Sequence, residues 1–541
     1  MSLSQSRRLR HGLPWLLLGL GILLFPWQLP VNRDGLPQAL EFVRASLSPD
    51  LSPEFLSLIV RATGVTFAFA VCGTVLSLAI GFLGGILSSE VWWQASSFGR
   101  LRYAVRAGLS AFRAIHELVW GLIFVNLFGL DPIVGVIAIA LPFGAIVAKV
   151  FSEILDETPR DGFYALVTAG VPPPAAMLYG LLPQALPNLI SYGFYRFECA
   201  LRSSAVLGII GAGGLGYEIF LSLQSLRYEQ LWTAFYALII LTGLVDSTSA
   251  RLRQKLGLTS RLQLKGQTAA PSRRAMGVLV LAAASIGLLC FWAIQADWSL
   301  LWSDRTRQLL MQLLADARPS LPSFSQSLTL AWLAWQTLVM SVLASVLASG
   351  GGLLLSFPAA QGFLQPGGLL RSAATGGHSA IGYLGYWTAR LLLLVSRAIP
   401  APIWALVFLY VIFPGIWPGV FALALHNLGI LGRLLAEVNE NSDCRPVVAL
   451  KAQGAMPMQA ILYGLLPQNL PKFLAYSLYR WEVCLRATVV VGLVGAGGLG
   501  RQMTEQISNF DYGGLTLTLG VFMALTYLID TVSGSLRRQL R

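Results

Sequence analysis

The chain has 541 residues, of which 55% are hydrophobic and only 12% charged, with a formal net charge of +13. Soluble domains carry about 25% charged residues, so the composition and a mean hydropathy of +0.66 exclude an ordinary soluble protein and predict a polytopic membrane protein. The excess of Lys and Arg collects in loops beside apolar runs, as the positive-inside rule requires, and forms no basic stripe of the kind that binds nucleic acid.

In chain order, Arg7, Arg8 and Arg10 precede an apolar run over 13–30. It ends in PWQLPV without a small-x-small cleavage site, so it reads as an uncleaved first span with its N-terminus inside. Further spans are expected at 57–87, 114–129, 132–152, 187–210 and 230–247. The loop holding Arg100, Arg102 and Arg106 is expected on the cytoplasmic side. Residues 153–178 carry Glu153, Asp156, Glu157, Arg160 and Asp161 and read as an amphipathic connection, not a span. A polar, basic stretch, 254–274, reads as a cytoplasmic linker. Spans are then expected at 275–295, 326–356, 387–412, 414–436, 471–494 and 514–532, and the chain ends in Arg537, Arg538 and Arg541, inside. The domains are 1–253, the linker, and 275–541.

The second set of spans repeats the first. LYGLLPQALP at 178–187 lies over LYGLLPQNLP at 462–471, nine of ten positions identical at an offset of 284. Arg196-x-Glu198-x-x-x-Arg202 lies over Arg480-x-Glu482-x-x-x-Arg486, and GAGGLG at 211–216 over GAGGLG at 495–500. Arg113, Trp120, Glu153, Asp246 and Ser249 also match at this offset, whereas Thr66 fits Thr337 at 271. An insertion near 358–389 in the second copy accounts for the difference. A long internal repeat sets the architecture, here two all-α units of six spans each. An even number of spans gives both units one orientation, with a pseudo-two-fold axis along the membrane normal.

Five scattered cysteines contain no C-x-x-C and support neither a disulfide framework nor a metal site. GAGGLG fits the dinucleotide fingerprint, but that motif needs a preceding strand, and here a membrane helix precedes it twice. A tightly packed glycine-rich helix end is the better reading. No G-x-x-x-x-G-K-[ST] occurs, and no Ser/His/Asp or H-E-x-x-H arrangement supports intrinsic catalysis.

The connection before the fifth span resembles the signature of ABC-importer permeases. Tyr164-Ala165-Leu166, three residues, Gly170, nine residues, then Gly180-Leu181-Leu182-Pro183 is repeated as Val448-Ala449-Leu450, Gly454 and Gly464-Leu465-Leu466-Pro467. The family's leading Glu is absent from both copies. Within that family LYGLLPQ-x-LP, YR-[FW]-E-x-x-LR, GAGGLG, Arg397-Ala398-Ile399-Pro400 and Leu425-His426-Asn427 are similar to phosphonate and phosphite permeases. The first copy departs at His116 (for Pro400) and Pro142 (for His426). The resemblance implies two fused type I importer permease domains, about twelve membrane helices in all, importing a phosphorus oxyanion. It implies an external substrate-binding protein and a cytoplasmic pair of ATPase subunits, with ATP and magnesium bound on those subunits and no cofactor on this chain. An ABC permease for another solute such as an amino acid, and a secondary transporter, are the alternatives.

The resemblance places the ATPase-coupling loops at Ala165, Gly170, Leu182 and Pro183 and at Ala449, Gly454, Leu466 and Pro467. Glycine at 170 and 454 allows a turn or a close approach, and Pro183 and Pro467 suit the start of the next span. Arg196, Glu198, Arg202, Arg480, Glu482 and Arg486 fall near mid-membrane, where each charge costs about 2.5–3.5 kcal/mol on insertion scales. They are read as lining a translocation path. Glu198 and Arg202 share a helix face at i,i+4, so each Arg is expected to be oriented by its own Glu.

Overall fold

A computed structural model describes residues 31–93, 101–255, 273–319, 322–364 and 379–540. The first expected span and nearly all of the linker lie outside the described residues. Among those described, regular structure is helical, and the β-type pairing is one isolated bridge, Val31 to Ile412. The first copy contains α1 (Leu36–Ala45), α2 (Pro53–Ser88), α3 (Leu101–Ala114), α4 (Glu117–Phe128), α5 (Pro132–Glu157), α6 (Asp161–Thr168), α7 (Leu182–Leu207), α8 (Leu215–Gln224) and α9 (Tyr228–Lys255). The second opens with α10 (Arg273–Ile294) and continues with α11 (Asp304–Asp316), α12 (Phe324–Ala359), α13 (Ser379–Ala398), α14 (Ala401–Val411), α15 (Ile416–Glu440), α16 (Arg445–Ala452), α17 (Leu466–Val491), α18 (Gly498–Ser508) and α19 (Tyr512–Leu540).

Six described helices are long and apolar enough to cross a membrane: α2, α5, α9, α12, α15 and α19. Three bent pairs also qualify, and one of them corrects the expected third span. Residues 114–129 are not one helix. α3 and α4 meet at 85°, and their counterparts α13 and α14, expected as the single span 387–412, meet at 96°. The arginines placed in a loop, Arg102 and Arg106, therefore sit on a helix. The two copies make the same bend by different chemistry. Pro400 takes φ −61° and ψ 149° because its ring holds φ. His116 takes φ −69° and ψ 148°, and its ring nitrogen accepts the Leu118 N–H. Both residues are extended, which ends the preceding helix.

The offset change is also visible. α2 and α12 match at 271, and α4 and α14 at 284. The extra residues lie between α12 and α13, where part of the segment is outside the described residues.

The copies embrace reciprocally. Ile403 of the second copy packs in one core with Ala205, Leu215, Ile219, Leu223, Leu231 and Leu238 of the first. Its counterpart Val119 packs with Val489, Leu499, Met503, Ile507, Leu515 and Phe522, the counterparts of those six. Likewise α9 lies against α13 and α3 against α19, while α1 meets α14 and α11 meets α4. Val206 and Val490, repeat partners themselves, share a small cluster with Leu118. In an isologous interface each patch meets its own equivalent, and these contacts have that pattern. Burying a Leu or Ile side chain is worth roughly 1.5–3 kcal/mol in water. Inside lipid, close fit and polar pairing hold helices together instead, so the small residues at these seams matter as much as the large ones.

Candidate functional site

The two amphipathic connections fold alike. Phe163 anchors α6 against Met177, Leu181 and Leu189, and Val447 anchors α16 against Ile461 and Leu465. Ala165, Gly170 and Pro183 are exposed and Leu182 half-buried; Ala449, Gly454, Pro467 and Leu466 repeat this pattern. Tyr179 and Tyr463 stand 79% and 76% exposed, with Leu178, Leu462, Met456 and Met458 exposed beside them. Beside α16, the Arg445 side chain holds the exposed Asp443 carboxyl below its usual range.

Gly170 and Gly454 supply turns, not close approaches. Each has a left-handed φ, +88° and +86°. The Val171 N–H bonds the Leu166 carbonyl at 3.0 Å and the Gly170 N–H the Val167 carbonyl at 3.0 Å. Ala455 to Leu450 at 3.1 Å and Gly454 to Lys451 at 3.0 Å repeat this cap. It is the Schellman arrangement that satisfies the last carbonyls of a helix. A Cβ at either glycine meets nothing within 4 Å. Gly170→Ala and Gly454→Ala are therefore each expected to cost about 1–2 kcal/mol of left-handed strain with no clash, read as a small fall in thermal midpoint of the purified protein. A collapse of the fold in either variant contradicts this. The close approach belongs to the motif's other glycine. A Cβ at Gly180 would stand 3.0 Å from the Gly162 carbonyl, and one at Gly464 3.2 Å from Val447 and Leu450 side chains.

Pro183 and Pro467 do not open a separate span. The helical path runs from Pro173 through a widened turn, Met177–Leu181, into α7, and Ile461–Leu465 repeats it. The Leu182 N–H reaches back five residues to Met177, as Leu466 does to Ile461. A proline lacks the N–H of an ordinary turn, and a π turn placed before it absorbs the break.

Before each connection a repeated clamp ties α3 or α13 to the ends of the long helices. Arg106 donates Nε–H to the Ser88 carbonyl, the end of α2, at 2.9 Å, and its Nη2 pairs with Asp156 at 3.2 Å. Asp156 also accepts from Ser89 Oγ at 2.7 Å and from the Glu90 N–H at 2.8 Å. In the second copy Arg390 bonds the Ala359 carbonyl at 3.0 Å and Glu440 at 2.7 Å, and Glu440 accepts the Gln361 N–H at 2.8 Å. A cation at a helix C-terminus complements its dipole. Sequence reasoning missed the clamp, although Arg106 over Arg390 and Asp156 over Glu440 keep charge at the 284 offset. The backbone acceptors carry no signature.

The charges of the fifth spans are placed on α7 and α17 as expected, but their pairing is different. Glu198 does not orient Arg202. It accepts from Ser249 and pairs with Arg253 at 3.1 Å. Glu482 pairs with Arg537 at 2.6 Å. Ser249 and Arg253 lie one turn apart on α9, so two donors converge on one carboxylate from the neighbouring helix. An i,i+4 neighbour adds only about 0.2–0.5 kcal/mol on an isolated helix, less than two converging donors.

Arg202 lies 3.6 Å from Cys199 through Nη2. Its counterpart Arg486 pairs with Asp530 at 3.4 Å. Asp246, the counterpart of Asp530, is taken by Arg397 of the other copy at 2.5 Å. Arg433 lies within electrostatic reach of Arg397. At the opposite seam Arg113 and Lys149 are within such reach of Arg486 and Asp530, and Glu153 within reach of Arg113 and Lys149. The two seams thus carry equivalent charges from both copies, with Lys149 and Glu153 half exposed.

Arg196 and Arg480 are 7% and 8% exposed, and neither is salt-bridged to a carboxylate among the described residues. The Arg480 Nε and Nη2 both donate to the Asn427 side-chain oxygen, Nε at 3.1 Å. The Arg196 guanidinium carbon lies over the Phe143 ring at 3.9 Å from its centre, and its Nε and Nη2 find no hydrogen-bond partner. Beside them Tyr195 and Tyr479 remain 37% and 44% exposed in mid-helix and lie within electrostatic reach of each other.

GAGGLG is a helix break. Gly211, Gly213 and Gly214 have φ of +93°, +89° and +76°, and Gly495, Gly497 and Gly498 have +104°, +79° and +70°. α7 and α8 meet there at 47°. The Thr66 hydroxyl accepts the Leu215 N–H at 2.8 Å, as Thr337 does that of Leu499 at 2.9 Å. A Cβ on Gly214 or Gly498 would stand 2.5 or 2.7 Å from those hydroxyls. A helix, α7 or α17, precedes the motif where the dinucleotide fingerprint needs a strand. Among the described residues no group of His, Cys, Asp or Glu could hold a metal ion.

Comparison with known proteins agrees with this layout. The model of the family described as binding-protein-dependent transport system inner membrane component matches twice, at residues 81–254 and 373–540. The phosphate-import permease of Mycolicibacterium smegmatis is 27% identical over 88% of this chain and 84% of its own length. A phosphite transport system permease of Stutzerimonas stutzeri is 35% identical over 38% of this chain and 69% of its own length. A second, putative phosphite permease of that organism is 31% identical over 42% of the chain and 79% of its own length. This multi-pass membrane chain belongs to the family of binding-protein-dependent transport system inner membrane components and carries that permease domain twice.

Proposed function

We propose that the chain is the membrane-spanning subunit of an ATP-driven importer of phosphonate, phosphite or a related phosphorus oxyanion. The observation that carries this reading is the arginine surplus between α7 and α17. Glu198 and Glu482 are each neutralised by Arg253 and Arg537, which leaves Arg196, Arg202 and Arg480 without a carboxylate partner among the described residues. Arginine is the cation whose planar fork matches two oxygens of a tetrahedral anion. The names of the relatives point to the same substrate class. Arg196, Glu198, Arg202, Arg480, Glu482 and Arg486 line or frame the path, with Glu198 and Glu482 holding the last helix of each copy in place.

A separate pair of ATPase subunits docks on the exposed aromatic and methionine faces around Tyr179 and Tyr463, and holds the ATP and magnesium. A substrate-binding protein delivers solute on the opposite side of a bacterial inner membrane, with the Arg-rich termini cytoplasmic. The test is import into proteoliposomes holding this chain, its ATPase and its binding protein. Labelled phosphite should enter in an ATP-dependent manner, with methylphosphonate or phosphate competing. Competition by methionine or histidine, without phosphite entry, would establish an amino-acid permease instead.

A further inference from the structure

The two arginines at the centre of the path are repeat equivalents, yet their surroundings have diverged. Phe143 stands at the position of Asn427, and Pro142 at that of His426. Asn427 is itself fixed, because its amide donates to the Leu423 carbonyl at 2.8 Å. Its oxygen fills the edge of Arg480 formed by Nε and Nη2. On Arg196 those same two nitrogens are the ones without a partner. That edge is the side-on fork by which a guanidinium takes two oxygens of one anion.

The unfilled fork is costly as it stands. A buried donor left unsatisfied is destabilising, and a charged one more so. Cation–π attraction to Phe143 recovers part of this at a desolvated site, but the ring brings no oxygen to Nε and Nη2. An aromatic face therefore holds Arg196 in place while leaving its Nε and Nη2 without an acceptor. The amide in the other copy does the opposite.

We propose that the oxyanion site is one-sided. Arg196, held over Phe143, takes the phosphorus oxyanion in a bidentate grip, and Arg480, held by Asn427, keeps its position in the bundle without binding the anion. This rests on the proposed phosphorus-oxyanion import and adds which copy binds.

The experiment compares Phe143→Asn with Phe143→Leu in proteoliposomes holding the whole transporter, with methylphosphonate as the probe. Both variants lose the ring, and only asparagine brings an oxygen to the fork. Import by Phe143→Asn should fall at least tenfold below that of Phe143→Leu, to the level of Arg196→Gln. Equal import by the two Phe143 variants overturns the proposal.

A second measurement uses the unaltered protein, so it stands if a variant fails to assemble. Arginine-directed dicarbonyl labelling, read by peptide mass spectrometry, should modify Arg196 and be blocked there by methylphosphonate, with no such protection at Arg480. Protection of both arginines, protection of Arg480 alone, or no reaction at Arg196 overturns the proposal. If the unaltered transporter imports none of phosphite, methylphosphonate and phosphate, the functional reading fails and the one-sided oxyanion site fails with it. If it imports one of them and Phe143→Asn matches Phe143→Leu, only the one-sided site fails.

Discussion

Asp246→Asn is expected to destabilise the joined halves by about 3–5 kcal/mol, the cost of leaving one member of a buried ion pair alone. Asp246 on α9 and Arg397 on α13 come from different copies and meet at 2.5 Å, and both side chains are largely covered. The asparagine leaves Arg397 charged at the seam between the halves. Replacing both residues by leucine should recover most of the loss, because the penalty comes from the uncompensated charge and not from a missing attraction. The repeat supplies an internal control. Asp530 pairs with Arg486 of its own copy at a longer 3.4 Å, so Asp530→Asn should cost less. Thermal unfolding of the detergent-purified single and double variants measures these differences. Equal effects at 246 and 530, or no recovery in the double leucine variant, would remove the seam pair from the account of stability.

Gly216→Ala and Gly500→Ala are expected to be worse still. A Cβ at Gly216 would overlap the Ala205 carbonyl oxygen, and one at Gly500 the Val489 carbonyl oxygen. The obstacle is helix backbone, which cannot rotate away as a side chain does. Gly208, on the facing turn, leaves a Cβ only 2.7 Å from the Gly216 Cα, so neither side of the contact can yield. The added methyl must part α8 from α7 and strip the Leu215 N–H from Thr66. Losses above about 4–5 kcal/mol are exceptional for one substitution and have such backbone or packing causes. The expected readout is failure to accumulate a folded, monodisperse protein, whereas Gly170→Ala accumulates normally. A well-folded Gly216→Ala protein would mean that the two helices are not in this contact.

Much of this architecture was legible as pattern. Apolar length placed α2, α5, α9, α12, α15 and α19, because burial in lipid forces long helices, although α9 and α19 run on through basic residues past the expected ends at 247 and 532. The matched LYGLLPQ-x-LP, Arg-x-Glu-x-x-x-Arg and GAGGLG stretches located both copies, the connection helices and the central charges. The bends were not legible. His116 and Pro400 make one turn with unlike residues, and an apolar stretch through Ile115 or Ile399 reads as an unbroken span. Nor was the pairing legible. Glu198 and Arg202 looked like partners because sequence spacing ranks neighbours on one helix only.

The sequence by itself determined the membrane class, the doubling, the place of the two connection helices and the presence of charges in the fifth spans, since each is a matter of composition or period along one chain. Only the tertiary structure decided which charges pair, since Arg253, Arg537 and Arg397 reach their carboxylates across helices more than forty residues apart or from the other copy. It alone decided that Gly170 turns while Gly180 and Gly216 admit close backbones, because that difference lies in φ and in the neighbours, not in the residue. It alone separated Arg196 from Arg480, because two arginines in one repeated motif differ through what a helix distant in sequence, carrying Phe143 or Asn427, lays against them.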